Sequence, residues 1–213
     1  MMPLYQAFDN ASKDSETMFH EIFIKQYVGY ATHHQDHRNE ITHFIGVPPI
    51  FMSVIFLLSG SVFRFGDLQI MGIPISIGLI FFCLLAASWI ALDIILGGIV
   101  FLLMLPVLLY SPSWADAVEA GSVLGIWGVV LVFVSVQIFA WSFQIFGHVF
   151  EGRRPRILEN FFQSTLAMMF LVQIVFNVFG WRPKLQQRID VELERWNAER
   201  GLIKGKLPHE ANG

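Results

Sequence analysis

The chain has 213 residues, a net charge of −3 and a hydrophobic fraction of 54%, with 15% of positions charged against about a quarter in ordinary globular proteins. That composition excludes an ordinary soluble domain and fits a polytopic membrane protein, and no basic patch with interleaved aromatics points to nucleic acid. The single cysteine, Cys83, excludes an intrachain disulfide framework and any multi-cysteine zinc or iron–sulfur site, leaving it the role of a small buried hydrophobe.

The first forty or so residues are polar and acidic, unlike a cleavable signal peptide, so the first hydrophobic segment is expected to direct insertion. Residues 1–44 are read as a cytoplasmic segment. Within it Phe19, Ile22, Phe23, Gln26, Tyr27 and Tyr30 recur at helical steps, which predicts an amphipathic helix from Glu16 to about Asn39. A first span follows from about Ile45 to Val62, with Pro48-Pro49 near its start.

Leu68 to Tyr110 is apolar throughout, about twice a bilayer crossing, and so predicts two helices with a break near Ala91–Asp93. Ser111–Gly121 reads as a short polar loop, and a fourth span runs from about Ser122 to Phe146 and on to Gly152–Arg153 ahead of Pro155. Phe161 to Gly180 is a fifth hydrophobic segment, spanning or re-entrant, less pure because of Gln163, Gln173 and Asn177. The expected architecture is therefore all-α: four spanning helices plus this fifth segment in a membrane domain over 45–180. Residues 181–213 form a charged tail whose Leu185, Ile189, Leu193 and Trp196 make one apolar stripe.

Loop 111–121 has no Lys or Arg, whereas Arg153, Arg154 and Arg156 follow the fourth span. Positive charge favours the cytoplasmic side, so the N-terminus and the end of the fourth span face the cytoplasm together. No retention signal ends the chain, which favours a bacterial inner membrane over the endoplasmic reticulum.

Two clusters carry the chemistry, and five of the seven histidines lie in them. The first is His33-His34-Gln35-Asp36-His37-Arg38-Asn39-Glu40-Ile41-Thr42-His43, and the second runs from Gln144 through Gly147-His148 to Glu151. Imidazole and carboxylate at a membrane boundary are the ingredients of a metal site. In the first cluster His33 and His37, or His34 and His37, can share a helical face. His34 and His43 share one only if the chain bends, which the Asn39–Gly46 stretch ahead of Pro48 can supply. Gln144, His148 and Glu151 share one face of the fourth helix, with Glu151 either a ligand, a support for an imidazole or a residue of the water boundary. His20 and His209 have no partners in sequence and are read as surface residues. Imidazoles without thiolate suit iron, zinc, copper or manganese, and non-haem Fe(II) sites leave positions open for O2.

These residues resemble the membrane-bound 2-hydroxy-fatty-acid dioxygenases of fatty-acid α-oxidation, a family shared by fungi, plants and bacteria. The matching positions are Tyr30, His34, Asn39, His43, Gly46 and Pro48, then Trp141, Gln144, Gly147-His148, Phe150-Glu151, Arg154-Pro155, Asn160, Gln163 and Ser164. The resemblance implies an enzyme that uses Fe(II) and O2 to shorten a long-chain 2-hydroxy fatty acid by one carbon, in the lipid bilayer. It places the metal on His34, His43 and His148, with His33 and His37 as neighbouring candidates. Only Val149 separates His148 from Phe150-Glu151, one residue fewer than in the family pattern. That rotates Glu151 by about 100° on a helix and argues against it as a ligand; Asn39, Gln144 and Glu151 are the candidates for supporting ligands or moving protons. The alternatives are a metal-binding transporter or channel, whose ionisable groups would line a path through the bilayer, and another membrane lipid oxidase, which would need more histidines.

Overall fold

Helix α2 (His37–Leu58) begins where Asp36, in extended conformation, accepts a hydrogen bond from the backbone N–H of Arg38; a carboxylate there satisfies an orphan donor and the positive end of the helix dipole. The computed structural model describes residues 4–152 and 165–199. Its described residues form seven α-helices and one two-stranded hairpin: α1 (Leu4–Ala31), α2, β1 (Arg64–Ile70), β2 (Ile73–Ser76), α3 (Ile77–Leu92), α4 (Ile94–Gly121), α5 (Ile126–Glu151), α6 (Ala167–Val178) and α7 (Pro183–Glu199). Asn160, Gln163, Ser164, the three arginines after Gly152, and His209 lie outside them.

Among the described residues three helices, α2, α4 and α5, are long and apolar enough to cross a membrane, where four spans are expected. The difference lies in the first half of the long apolar run. Residues 64–76 pair as an antiparallel hairpin with Ile70 opposite Ile73, turning through Met71 and Gly72 at positive φ. The remaining helix α3 has 16 residues, about 24 Å of length against a core of about 30 Å. The described residues are helical as expected apart from this short hairpin, and it is the count of four spans that is not reproduced.

Other boundaries move for local reasons. Pro48 and Pro49 sit inside α2 rather than at its start, because Asp36 starts the helix two turns earlier. The expected loop 111–121 is the last three turns of α4. Its polar groups find partners across the bundle: Glu119 accepts from the N–H and hydroxyl of Ser61 at 2.9 and 2.6 Å, and Arg64 pairs with Asp116 at 2.8 Å. The break near Ala91–Asp93 falls on Asp93 alone, which caps α4 through the N–H groups of Ile95 and Leu96 and receives both Nη atoms of Arg182 at 2.7 and 2.9 Å. Cys83 lies on the outer, exposed face of α3, not in the core.

The site is positioned by the antiparallel pair α2 and α5. Their seam is close because of two glycines: a Cβ on Gly46 would strike the carbonyl of Ala140 and the amide of Gln144, and one on Gly147 would strike Thr42 and Asn39. Small residues let helices approach in this way where the surrounding lipid offers no hydrophobic drive. The α3–α4 hairpin and α6 pack on α2, and α7 lies along α1. The apolar stripe of the tail is buried there, with Leu185 and Ile189 in the core and Leu193 and Trp196 against it.

Candidate metal centre

Helix α1 stops at Ala31, well before the expected Asn39, and residues 32–36 form a turn. Thr32 bonds back to the carbonyl of Gly29 at 2.8 Å, and the N–H of His34 reaches Ala31 at 3.1 Å in a tightened last turn. The bend needed to bring His34 to His43 is therefore here and not in Asn39–Gly46. His34 is carried on this turn, His43 sits in the second turn of α2, and His148 in the last turn of α5.

The three imidazoles converge. One ligating nitrogen of each lies within 4.8 Å of the others, and all three residues are buried. Their rings meet edge to face, with centroids 4.4 to 5.3 Å apart. Asn39 and Gln144 are buried beside them. His37 is not brought in; it is solvent-exposed and paired with Glu40 at 3.2 Å. His33 is half-buried with its Nδ1 3.0 Å from the Thr32 hydroxyl, outside the converging group. His20 is half-buried near Phe23.

Hydrogen bonding decides the protonation of two rings. His34 Nδ1 lies 2.8 Å from the carbonyl of Tyr30, and His43 Nδ1 lies 2.8 Å from that of Asn39. A carbonyl only accepts, so each Nδ1 carries the proton and each Nε2 presents a lone pair. Those Nε2 atoms stand 3.0 Å apart, which is repulsive for two neutral rings unless a cation sits between their lone pairs. Two imidazole nitrogens bound at right angles to one ion, each about 2.1 Å away, are separated by about 3.0 Å. Burial, and next the His43 ring, hold the pKa of His34 well below the usual imidazole range, so the ring is neutral and ready to ligate at neutral pH. The buried Nδ1 of His148 finds no hydrogen-bond partner among the described residues. The donor set fits a borderline transition metal.

The surroundings orient these rings. Tyr30 stacks on His34 with centroids 4.0 Å apart and planes 8° from parallel, and Phe170 of α6 abuts both at 4.9 and 5.5 Å. Phe170 has no signature in the sequence, since one Phe in an apolar segment carries no signal. The signal for the turn was present, because Asp36 is a standard N-cap residue. Glu151 lies apart from the nitrogens and accepts from the backbone of the turn: Gln35 N at 3.1 Å to each oxygen and Asp36 N at 2.8 Å. Asn39 Nδ2 adds a contact at 3.3 Å.

A family model described as Mpo1-like, 2-hydroxy-palmitic acid dioxygenase Mpo1-like, matches residues 20–178. The chain is 26% identical over 167 residues to the 2-hydroxy-palmitic acid dioxygenase MPO1 of Saccharomyces cerevisiae, covering 78% of this chain and 86% of the yeast protein. No solved structure matches.

Proposed function

The chain belongs to the Mpo1-like family, and from that premise we propose that it is a membrane-embedded, Fe(II)-dependent dioxygenase. Its substrates are a long-chain 2-hydroxy fatty acid and O2, and its products are the fatty acid one carbon shorter, CO2 and water. The observation that carries the reading is the buried trio His34, His43 and His148, two of whose Nε2 lone pairs face each other at 3.0 Å. Iron held there supplies the one-electron chemistry that lets O2 react with a closed-shell acid.

The remaining work falls to the chain. Three protein nitrogens leave positions for the acid and O2. The buried amide of Gln144, whose Nε2 has no partner among the described residues, is a donor for the polar end of the substrate. Ile41, Phe44 and Ile45 of α2 and Ile145, Phe146 and Val149 of α5 are exposed beside the site. They offer an apolar surface to an acyl chain that is already dissolved in the leaflet. The site faces the cytoplasm in this reading, because Arg153, Arg154 and Arg156 follow α5 directly, whereas the one described arginine at the other end, Arg64, is neutralised by Asp116.

The test is to purify the protein in detergent, load it anaerobically with Fe(II), add 2-hydroxypalmitate and air, and follow the acid one carbon shorter by mass spectrometry. Product is expected from wild type and from the exposed-site variant His37→Ala, and is lost with a chelator or with His148→Ala. Full activity in iron-free protein would refute the proposal.

A further inference from the structure

His43 and His148 ride on two helices locked together by the Gly46 and Gly147 contacts, so their positions follow from the bundle. His34 is the one member of the trio on a turn, and something has to hold that turn. The peptide groups on both sides of His34 are pinned. The carbonyl of His33 accepts from Asn39 Nδ2 at 3.1 Å. The next two amides, Gln35 and Asp36, donate to the Glu151 carboxylate at 3.1 and 2.8 Å. Asn39 Nδ2 also meets Glu151 Oε2 at 3.3 Å, so the two side chains form one clamp.

We propose that Glu151 is the positioning residue of the metal centre: its carboxylate ties the turn bearing His34 to the end of the helix bearing His148. The proposal rests on the metal-centre reading above and deepens it. A carboxylate accepts through about four lone-pair sites; here the Asp36 N–H and the Asn39 amide donate to Oε2, and the Gln35 N–H is shared between Oε1 and Oε2. Its charge also lies at the N-terminus of α2, where the helix dipole favours it. The location three residues beyond His148 places this acceptor within reach of the turn while His148 points to the other imidazoles. Phe150 adds a second tie, with the Arg38 guanidinium 4.7 Å over its ring and hydrogen-bonded to Asp36 at 2.7 Å. Glu151 thus acts on the metal through the backbone rather than as a ligand or a proton carrier.

The test uses the full chain in detergent with Co(II) as the probe, comparing wild type with Glu151→Gln and Glu151→Ala. Glu151→Gln keeps one acceptor but turns an N–H2 toward the donors of the turn. Supporting residues around a metal contribute about 10- to 100-fold in affinity, so Co(II) binding should weaken by that factor while its visible absorption envelope keeps its shape. Hydrogen exchange of the peptide covering residues 33–38 should accelerate in both variants, with α5 protection and the gel-filtration profile unchanged. A changed envelope would make Glu151 a ligand, and wild-type affinity with wild-type exchange would show that it holds nothing; either overturns the proposal. If wild type itself bound no Co(II), the metal-centre reading would fail, and the exchange data would still decide whether Glu151 holds the turn.

Discussion

Adding one methyl group at Gly147 tests the claim that the seam between α2 and α5 sets the site. The new Cβ would overlap Thr42 Oγ1 and Asn39 Oδ1. Neither can swing away freely: Thr42 is bonded to the carbonyl of Asn39 at 2.7 Å, and Asn39 to that of His33 at 3.1 Å. The helices must therefore part by roughly 1 Å, and overpacking of this kind costs about 1–3 kcal/mol. Alanine in a helix recovers about 0.5–1 kcal/mol of backbone entropy relative to glycine. The net loss is about 1–2 kcal/mol, or about 2–8 °C in Tm for a chain of this size. His148 is the next residue, so the same displacement separates it from His43 and should weaken Co(II) binding as well. Gly98 is the control, because a Cβ there meets nothing within 4 Å, and Gly98→Ala should hold or raise Tm. The assay is thermal unfolding in detergent beside a Co(II) titration. If Gly147→Ala matched Gly98→Ala in both measurements, the close seam would not be what sets the site.

Two further outcomes follow from the same structure. Asp93, with a side chain 3% exposed, both caps α4 and holds Arg182; Asp93→Ala leaves a cation and a helix end without partners. Arg182 is itself 24% exposed, so the cost is discounted for solvent to about 2–4 kcal/mol, read as a fall in Tm, and an unchanged Tm would contradict it. The depressed pKa of His34 makes the unfolded chain the better proton acceptor between the folded value and about 6.5. Metal-free stability is then full above that pH and falls on acidification below it; denaturant midpoints at pH 7.5 and 5.5 measure this, and no fall in His34-containing protein relative to His34→Ala would refute it.

The two histidine clusters stood out in the sequence because ionisable groups beside apolar runs are costly without a purpose. Spacing alone left His33, His34, His37 and His43 as competing partners, and the resemblance was needed to choose among them. The reason is geometric: the selection depends on where the chain bends, and the bend at 32–36 contains neither glycine nor proline. It is made by the back-bonding Thr32, the capping Asp36 and a carboxylate 116 positions away, and the last of these has no local signature. The hairpin is masked for a different reason: the apolar character of Leu68–Ile80 outweighs the turn signals that Gly72 and Pro74 supply. Polar residues in 111–121 suggested a loop because their partners, Ser61 and Arg64, lie in a distant segment.

The clamp between Gln35 and Glu151 spans 116 positions, and that distance sets an order of events during synthesis. At about 5–20 residues per second, roughly 6 to 23 s pass between emergence of the turn and emergence of its carboxylate. All three candidate membrane helices are made in that interval. Until α5 is in place, α2 with His43 lacks its partner in the seam, and the turn with His34 lacks its clamp. On the proposed function, metal loading would therefore wait for α5 to be complete, and a chain truncated before Gly147 would lack both His148 and the clamp.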